Sequence, residues 1–449
     1  MAKERIAVVG GGLVGSLWSV YLSRRGFDVH VFDRRPDIRQ MKIVQGKSIN
    51  LALSERGWRG LDGAGIGPQV REVALPMTGR LMHGLDGSLT YQPYGKEGQA
   101  IYSVSRGLLN QTMVKLAGER DNVSLYFSHR CADISPDEKS ITFIHEETGE
   151  RTTHHFDRIF GTDGAFSAVR SRMQRMDRFD YSQSYLNHGY KELEIPAQPD
   201  GTHRMRKDVL HIWPRQDFMM IALPNVDGSF TCTLFLAFEG KESFEQLTTP
   251  EAVKGFFTRW FPDVIEMMPE LTDDFFTNPT SSLVMVKCYP WHHRDAVCLM
   301  GDAAHAIVPF YGQGMNCGFE DCTVLDGLID KHGDNWSEVF SEFTRIRKPA
   351  GDAVLELALR NYIEMRDKAA DPRFLLQKKI EARFASRHPE LWVPLYSQVT
   401  FTHIPYDQAL RNGDRQEAIM QRVMSMEDIA GRWDSDDVET LMLSLVERM

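Results

Sequence analysis

The sequence predicts an α/β fold: a parallel sheet wound with helices, a second region of antiparallel strands, and a helical C-terminal portion. Three observations carry that expectation. A short, wholly apolar run at 6–9 passes through a glycine cluster into a helix-like segment, and a second apolar run follows at 29–32, the order of a β-α-β unit. Alternating or β-rich runs at 188–195, 209–213, 218–223 and 230–238 are separated by turn residues at 215–217 and 225–228. From 351 to 367 the pattern becomes strongly helical, with Asn361 and Glu364 three apart on one face.

Composition narrows the function classes. The 449 residues are 42% hydrophobic and 25% charged, ordinary for a soluble globular protein with a sizeable core, and the length would hold roughly three domains. The net charge of −10 lies without a basic block, which argues against nucleic acid as a partner. Six cysteines, at 131, 232, 288, 298, 317 and 322, form no CxxC pair and several sit inside apolar runs. They read as reduced, buried thiols of a cytoplasmic protein with no metal site. No signal peptide opens the chain, and no apolar run reaches the ~20 residues that span a bilayer.

Taken in order, the elements gather around strand ends. Gly10, Gly12 and Gly15 give GxGxxG between the first strand and its helix: Gly10 permits the tight turn, Gly12 lets backbone approach a pyrophosphate, and Gly15 lets helix and strand pack closely. Asp33 closes the second strand, where it would accept both ribose hydroxyls and repel the extra phosphate of NADP, so the site wants FAD or NAD. Arg34 and Arg35 could reach the adenine side or simply face solvent. Within 47–57 a loop or short strand leads to a helix starting at Glu55, with Ser54 as its cap. Runs at 77–83 and 89–94 form a hairpin around Asp86-Gly87 that returns Arg80 and Tyr94 to one neighbourhood. Arg106 stands at a strand-to-helix junction, placed equally well for a phosphate or for solvent.

Strands at 123–127, 140–145 and 151–156 precede a second strand end at 158–161, where Asp163-Gly164 leads to a helix with Ser167 and Arg170 in its first turns. The antiparallel runs that follow should form a sheet with one polar and one apolar face, with Met219, Ile221 and Leu223 together on one side. A helix at 250–261 and a run at 281–286 lead to the strand 296–300, which stops at Gly301-Asp302. A small-residue loop through Pro309, Phe310 and Tyr311 reaches Gly312 and Gly314, and an amphipathic helix begins. One carboxylate thus sits at a strand end and a row of N–H groups at a helix start, suited to a ligand with a polyol and an anion-prone ring.

These markers, GxGxxG at 10–15, Asp-Gly within 161–170, and Gly-Asp at 301–302 with its glycine-rich sequel, occur in the order that resembles the FAD-dependent aromatic hydroxylases of the p-hydroxybenzoate hydroxylase type. Runs at 47–57, 92–95, 189–193, 210–214, 221–225, 308–310, 312–316, 361–364 and 396–401 are similar to the kynurenine-hydroxylating branch of that family and span nearly the whole chain. The resemblance implies a Rossmann-like FAD-binding domain made of 1–70, 98–178 and 288–350, an antiparallel-sheet substrate domain of 71–97 and 179–287, and a C-terminal helical region of 351–449. It implies non-covalent FAD, NADPH as transient reductant, and O2, with hydroxylation of L-kynurenine beside its aromatic amine through a flavin hydroperoxide. Gly10, Gly12, Leu13, Val14 and Gly15 would receive the pyrophosphate, Asp33 and Arg34 the adenosine, and Arg106 the phosphate or ribityl region. Asp302 would hold ribityl hydroxyls, with Asp163 orienting the loops nearby. Gly312, Gly314, Met315 and Asn316 would aim N–H groups at the flavin ring. By the same resemblance Arg80, Tyr94, Asn361 and Tyr396 take the substrate carboxylate and Glu364 orients Arg80 or meets the ammonium. The aromatic end would lie among Ile221, Leu223, Pro309 and Phe310, with Tyr311 close by and no acid or base required of the protein.

The sequence departs from the family at three places: Asp33 where a longer Glu is common, Ala306 where proline is frequent, and Tyr311 at a variable position. The tail 436–449 is too short and charged for the membrane anchor of eukaryotic relatives. The oligomeric state is left open, a homodimer being one option. Two rivals stand beside this reading: a flavin hydroxylase of a phenolic or other aromatic acid, and a non-catalytic binding protein like the GDP-dissociation inhibitors, which lack the Asp-Gly and Gly-Asp pair.

Overall fold

The structure, a computed structural model, describes residues 3–41, 49–95, 98–364 and 371–447. Lys47 and Ser48 of the 47–57 run, and the 365–367 end of the expected helix, lie outside the described residues.

Six strands form the first sheet, in the order His292–His293, Val297–Leu299, Arg158–Gly161, Arg5–Val9, Asp28–Phe32 and Val123–Tyr126. All neighbours but the first pair run parallel. Both faces are covered, as the wholly apolar strands require, and the helix Leu13–Arg24 buries Leu17, Trp18, Val20 and Leu22 against them. Register sets the functional edge. Val9 pairs with Phe32 and with Gly161, and Gly161 with Leu299, so these strands end in one row and hand over to Gly10, Asp33, Thr162 and Gly301 side by side.

The second large sheet has seven strands, in the order Ser281–Tyr289, Asp180–Ile195, Phe230–Ala237, Phe218–Pro224, Val209–Arg215, Gly79–His83 and Leu89–Pro93. The hairpin around Asp86-Gly87 forms as expected, but it joins Val209–Arg215 through a parallel pair, Arg80 opposite Leu210. One face is the more polar, as expected, with Glu192, Glu194, Thr231 and Thr233 sharing a side, but it is covered rather than open to solvent. Leu193, Trp213, Met220 and Leu234 pack on Phe256, Phe257 and Phe261 in and after the helix Pro250–Trp260, while Tyr190, Ile221 and Phe235 face an internal cavity. Two covered sides explain why every residue of Phe230–Ala237 but the last is buried, Thr231 and Thr233 included.

Two three-stranded sheets complete the β structure. Asn50–Leu53 and Ala74–Met77 flank Ile101–Ser105, and His129–Ser135 extends the expected pair Ser140–His145 and Arg151–His155. His129–Ser135 is largely half-exposed and its register breaks opposite Thr142 and Phe143, so it has no apolar period to read. The helix expected from 351 begins at Trp336 and runs to Ile363 through Pro349. A proline normally stops a helix because it lacks an N–H and its ring crowds the preceding turn; here burial of Phe340, Phe343, Val354 and Leu357 holds both sides together. No helix among the described residues is long and apolar enough to cross a membrane.

Candidate active site

A cavity of about 1260 Å³ opens between the parallel sheet's strand ends and the inner face of the seven-stranded sheet. Ordinary small-molecule sites enclose ~300–1,000 Å³, so this one has room for a large ligand and a smaller one together.

At the parallel-sheet end, the glycines divide their work. Gly10 has φ of +104°, and a Cβ there would lie 2.6 Å from the Thr162 carbonyl oxygen. A Cβ on Gly15 would come within 1.9 Å of the Gly10 oxygen, so Gly15 closes helix on strand and does not line the cavity. Gly12 has nothing within 4 Å of an added Cβ and does line it, as do Leu13 and Val14. No side chain caps the helix that Gly12 opens, and its first turn holds no acid, so its N–H groups are free for an anion. The same is true of the helix Gly314–His332, whose Gly314 and Met315 line the cavity behind Gly312. These uncapped termini and the open space at Gly12 fit a dinucleotide.

Asp33, Arg34, Arg106, Asp163 and Asp302 also line the cavity. Both Asp33 oxygens are taken by Arg35, through its backbone N–H at 2.8 Å, Nε at 2.9 Å and a terminal nitrogen at 2.7 Å. Arg35 is half-exposed and Asp33 buried, so the pair fixes the carboxylate at the cavity edge, and ribose hydroxyls would reach it by displacing the Arg35 contacts. Asp163 accepts from Ser167 Oγ at 2.5 Å and from the Ala168 N–H at 2.7 Å, and so holds the start of the helix Ala168–Met173. Asp302 has no hydrogen-bond partner among the described residues and is open to the cavity, though protein surrounds it. Burial raises its carboxyl above the ordinary value, with Arg106 pulling the other way. Asn316 is fully buried; its amide accepts from the Ser54 N–H at 2.9 Å and donates to the Ala52 and Gly312 carbonyls, both at 2.8 Å. It braces the turn from behind, and Ser54 caps its helix without a side-chain bond.

At the other end Arg80, Tyr94, Ile221, Leu223, Pro309, Phe310, Tyr311 and Tyr396 come together. Tyr94 stacks on Tyr396 at 5.4 Å between centroids and Tyr396 on Tyr311 at 5.5 Å, a run of three rings. The Arg80 guanidinium lies 4.6 Å from the Tyr396 ring centre and 5.3 Å from that of Tyr94. Arg80 Nε and Tyr94 Oη are buried without a hydrogen-bond partner. Burial works against the Arg80 charge, but Tyr396, Tyr94 and Glu364 outweigh it and its pKa rises; burial likewise pushes the Tyr94 and Tyr311 hydroxyls up. Neither Asn361 nor Glu364 lines the cavity. Asn361 instead donates to the Phe310 carbonyl at 2.6 Å, holding the loop from outside, and Glu364 acts on Arg80 and Tyr311 through its charge.

Met219 lines the cavity with Ile221 and Leu223, the three residues the alternation set on one side. Other contributors carried no sequence signal of their own: Tyr190 and Phe235 line the substrate end, and only a correct strand register could have picked them. Asn50 donates to Asn225 Oδ1 at 2.7 Å, tying the small sheet to the end of Phe218–Pro224.

Comparison with known proteins gives one picture. A family described as "FAD binding domain" matches residues 3–358. The chain is 53% identical to the kynurenine 3-monooxygenase of Flavobacterium johnsoniae over 99% of both chains. To that of Christiangramia forsetii it is 49% identical over 100% of both, and to that of Sus scrofa 42%, covering 94% of this chain and 89% of the relative. Among solved structures, 2-methyl-3-hydroxypyridine-5-carboxylic acid oxygenase superposes with a TM-score of 0.67 at 19% identity, covering 83% of this chain and 95% of the other. PqsL of Pseudomonas aeruginosa, in complex with 2-aminobenzoylacetate, superposes at 0.62 and 17%, covering 82% and 97%. At such identities these two speak for the fold alone.

Proposed function

The chain belongs to the kynurenine 3-monooxygenase family, and on that premise we propose that it is an FAD-dependent, NADPH-consuming monooxygenase that converts L-kynurenine and O2 to 3-hydroxykynurenine, a step of tryptophan degradation. Bound non-covalently and reduced by NADPH, the flavin supplies the activated oxygen. The residues of the chain bind, orient and keep the site dry.

In this reading the N–H groups behind Gly12 take the pyrophosphate, Asp33 the adenosine ribose, Asp302 and Arg106 the ribityl region, and the helix start at Gly314 the flavin ring. Arg80 receives the kynurenine carboxylate, where a guanidinium fork pairs two oxygens at once, and the Tyr94 and Tyr396 hydroxyls fix its angle. The aromatic amine then lies among Ile221, Leu223, Phe235, Pro309 and Phe310. The amine itself activates the neighbouring ring carbon, so no protein base is needed. A phenolic substrate would want one, and among the described residues lining the cavity the only histidine is His129, beside Arg130 and Cys131 at the cofactor end.

The observation that carries the reading is the half-buried, charged Arg80, whose Nε is buried without a hydrogen-bond partner, beside the Tyr94 hydroxyl that also lacks one, in the same cavity as the uncapped helix ends. A cation so placed is costly to leave unmatched, and an amino-acid carboxylate matches it. Titrating the flavin-loaded protein with kynurenine tests this: saturable perturbation of the flavin absorbance is expected, and a spectrum unmoved by kynurenine would contradict it.

A further inference from the structure

Glu320 and Asp321 are adjacent acids in the helix Gly314–His332, both buried and both facing protein rather than the cavity. Asp321 Oδ2 accepts from the Gly301 N–H at 2.9 Å and from His305 Nε2 at 2.6 Å, the two ends of the turn that carries Asp302. Its other oxygen accepts from Arg347 Nε at 2.7 Å. Glu320 accepts from Arg347 at 2.6 Å through one oxygen and from Arg56 through the other. Arg56 in turn donates to the carbonyls of Val399, at 3.0 Å, and Ile404, and lies 4.1 Å from the Tyr406 ring centre. Val399 belongs to the helix Leu395–Phe401, which carries Tyr396. Asp321 therefore reaches one ligand's turn and Glu320 the other ligand's helix, with Arg347 tying them together.

The cluster is built around charge. Burial would raise the Asp321 carboxyl, but His305 and Arg347 overcome it and hold it down to about 2. His305, Cys317 and Asp321 place one potential ligand atom each within 4.8 Å of one another, yet a guanidinium nitrogen of Arg347 lies 3.2 Å from Cys317 Sγ, so Arg347 takes the place beside them that a metal ion would need.

We propose that these neighbouring acids are positioning residues with divided duties: Asp321 sets the Gly301–His305 turn for the flavin, and Glu320, through Arg56, sets Tyr396 for kynurenine. The inference rests on the proposed function, since it takes the two cavity ends as flavin and kynurenine sites.

The test uses Asp321→Asn and Glu320→Gln, with FAD affinity read from flavin fluorescence and kynurenine affinity from the flavin absorbance of the reloaded protein. Asp321→Asn is expected to weaken FAD on the order of tenfold and leave kynurenine within about twofold, and Glu320→Gln to do the reverse, with KM rising more than kcat falls. Where either variant fails to fold, His305→Gln and Arg56→Lys cut the same two arms more gently and should show the same contrast. Equal weakening of both ligands, no weakening of either, or the opposite assignment would overturn the proposal. Wild-type protein that takes up no FAD would instead overturn the proposed function, so the two failures are distinct.

Discussion

Arg80 is the side chain on which substrate recognition turns. It sits on Gly79–His83 in a sheet built largely from residues a hundred positions or more away, under rings from Tyr94 and Tyr396. Replacing it with methionine keeps the stem and removes the fork. Arg80→Met is expected to weaken kynurenine by about 2–5 kcal/mol, the range for orphaning a buried charge partner, with the flavin spectrum retained; isothermal titration on the flavin-loaded protein reads it. Tyr311 ends the three-ring stack on Tyr396. Stacked pairs contribute ~0.5–1.5 kcal/mol beyond area, so Tyr311→Ala should raise the kynurenine KM by roughly that much and waste more NADPH as peroxide, whereas Tyr311→Phe, which keeps the ring, should do neither. At this scale the sequence was only partly legible. Arg80, Tyr94 and Tyr396 are scattered over more than 300 positions; the hairpin pattern brought Arg80 and Tyr94 to one neighbourhood, and family resemblance alone added Tyr396. Asn361 was expected in the same cluster; its amide donates to the Phe310 carbonyl and it stands behind the loop that lines the cavity.

The strand-to-helix turn at 10–15 separates binding from packing. A Cβ at Gly12 would enter the open cavity, and one at Gly15 would strike the Gly10 carbonyl at 1.9 Å. Gly12→Ala should therefore fold with a melting temperature near wild type and lose FAD, while Gly15→Ala should lose stability first; melting curves with and without FAD tell them apart. The turn at 301–305 adds a pH signature. Burial works against the charge on His305, but Asp321 and Cys317 outweigh it and raise its pKa well above 6.5. A raised folded-state value gives stability that is full below 6.5 and fades as pH rises through the folded value. The stability gap between wild type and His305→Gln, measured as urea midpoints, should thus be level below 6.5 and narrow above it. Elements with a clean period were readable in sequence: the β-α-β start, the hairpin, the strand before Gly301. Those set by tertiary contacts were not, notably the half-exposed strand His129–Ser135 and the helix that carries Pro349 through its middle.

On the scale of the whole molecule, two sheets face each other across one cavity, the parallel sheet offering strand ends and helix starts, the mixed sheet offering an apolar wall. That pairing of layers was legible because continuous and alternating apolar runs differ in the sequence itself. The second sheet's burial on both sides was not, since its outer cover comes from the helix Pro250–Trp260 and its inner cover is the ligand space. A dry, shaped space between layers is what oxygen transfer to a ring needs, because misplacement or water diverts reducing equivalents to peroxide. The most direct measurement is therefore one reaction scored twice, with NADPH consumed and 3-hydroxykynurenine formed counted together in the presence of FAD, O2 and L-kynurenine. Kynurenine should accelerate NADPH oxidation and return close to one hydroxylated product per NADPH; oxidation that ignores kynurenine, or that yields peroxide without 3-hydroxykynurenine, would contradict it.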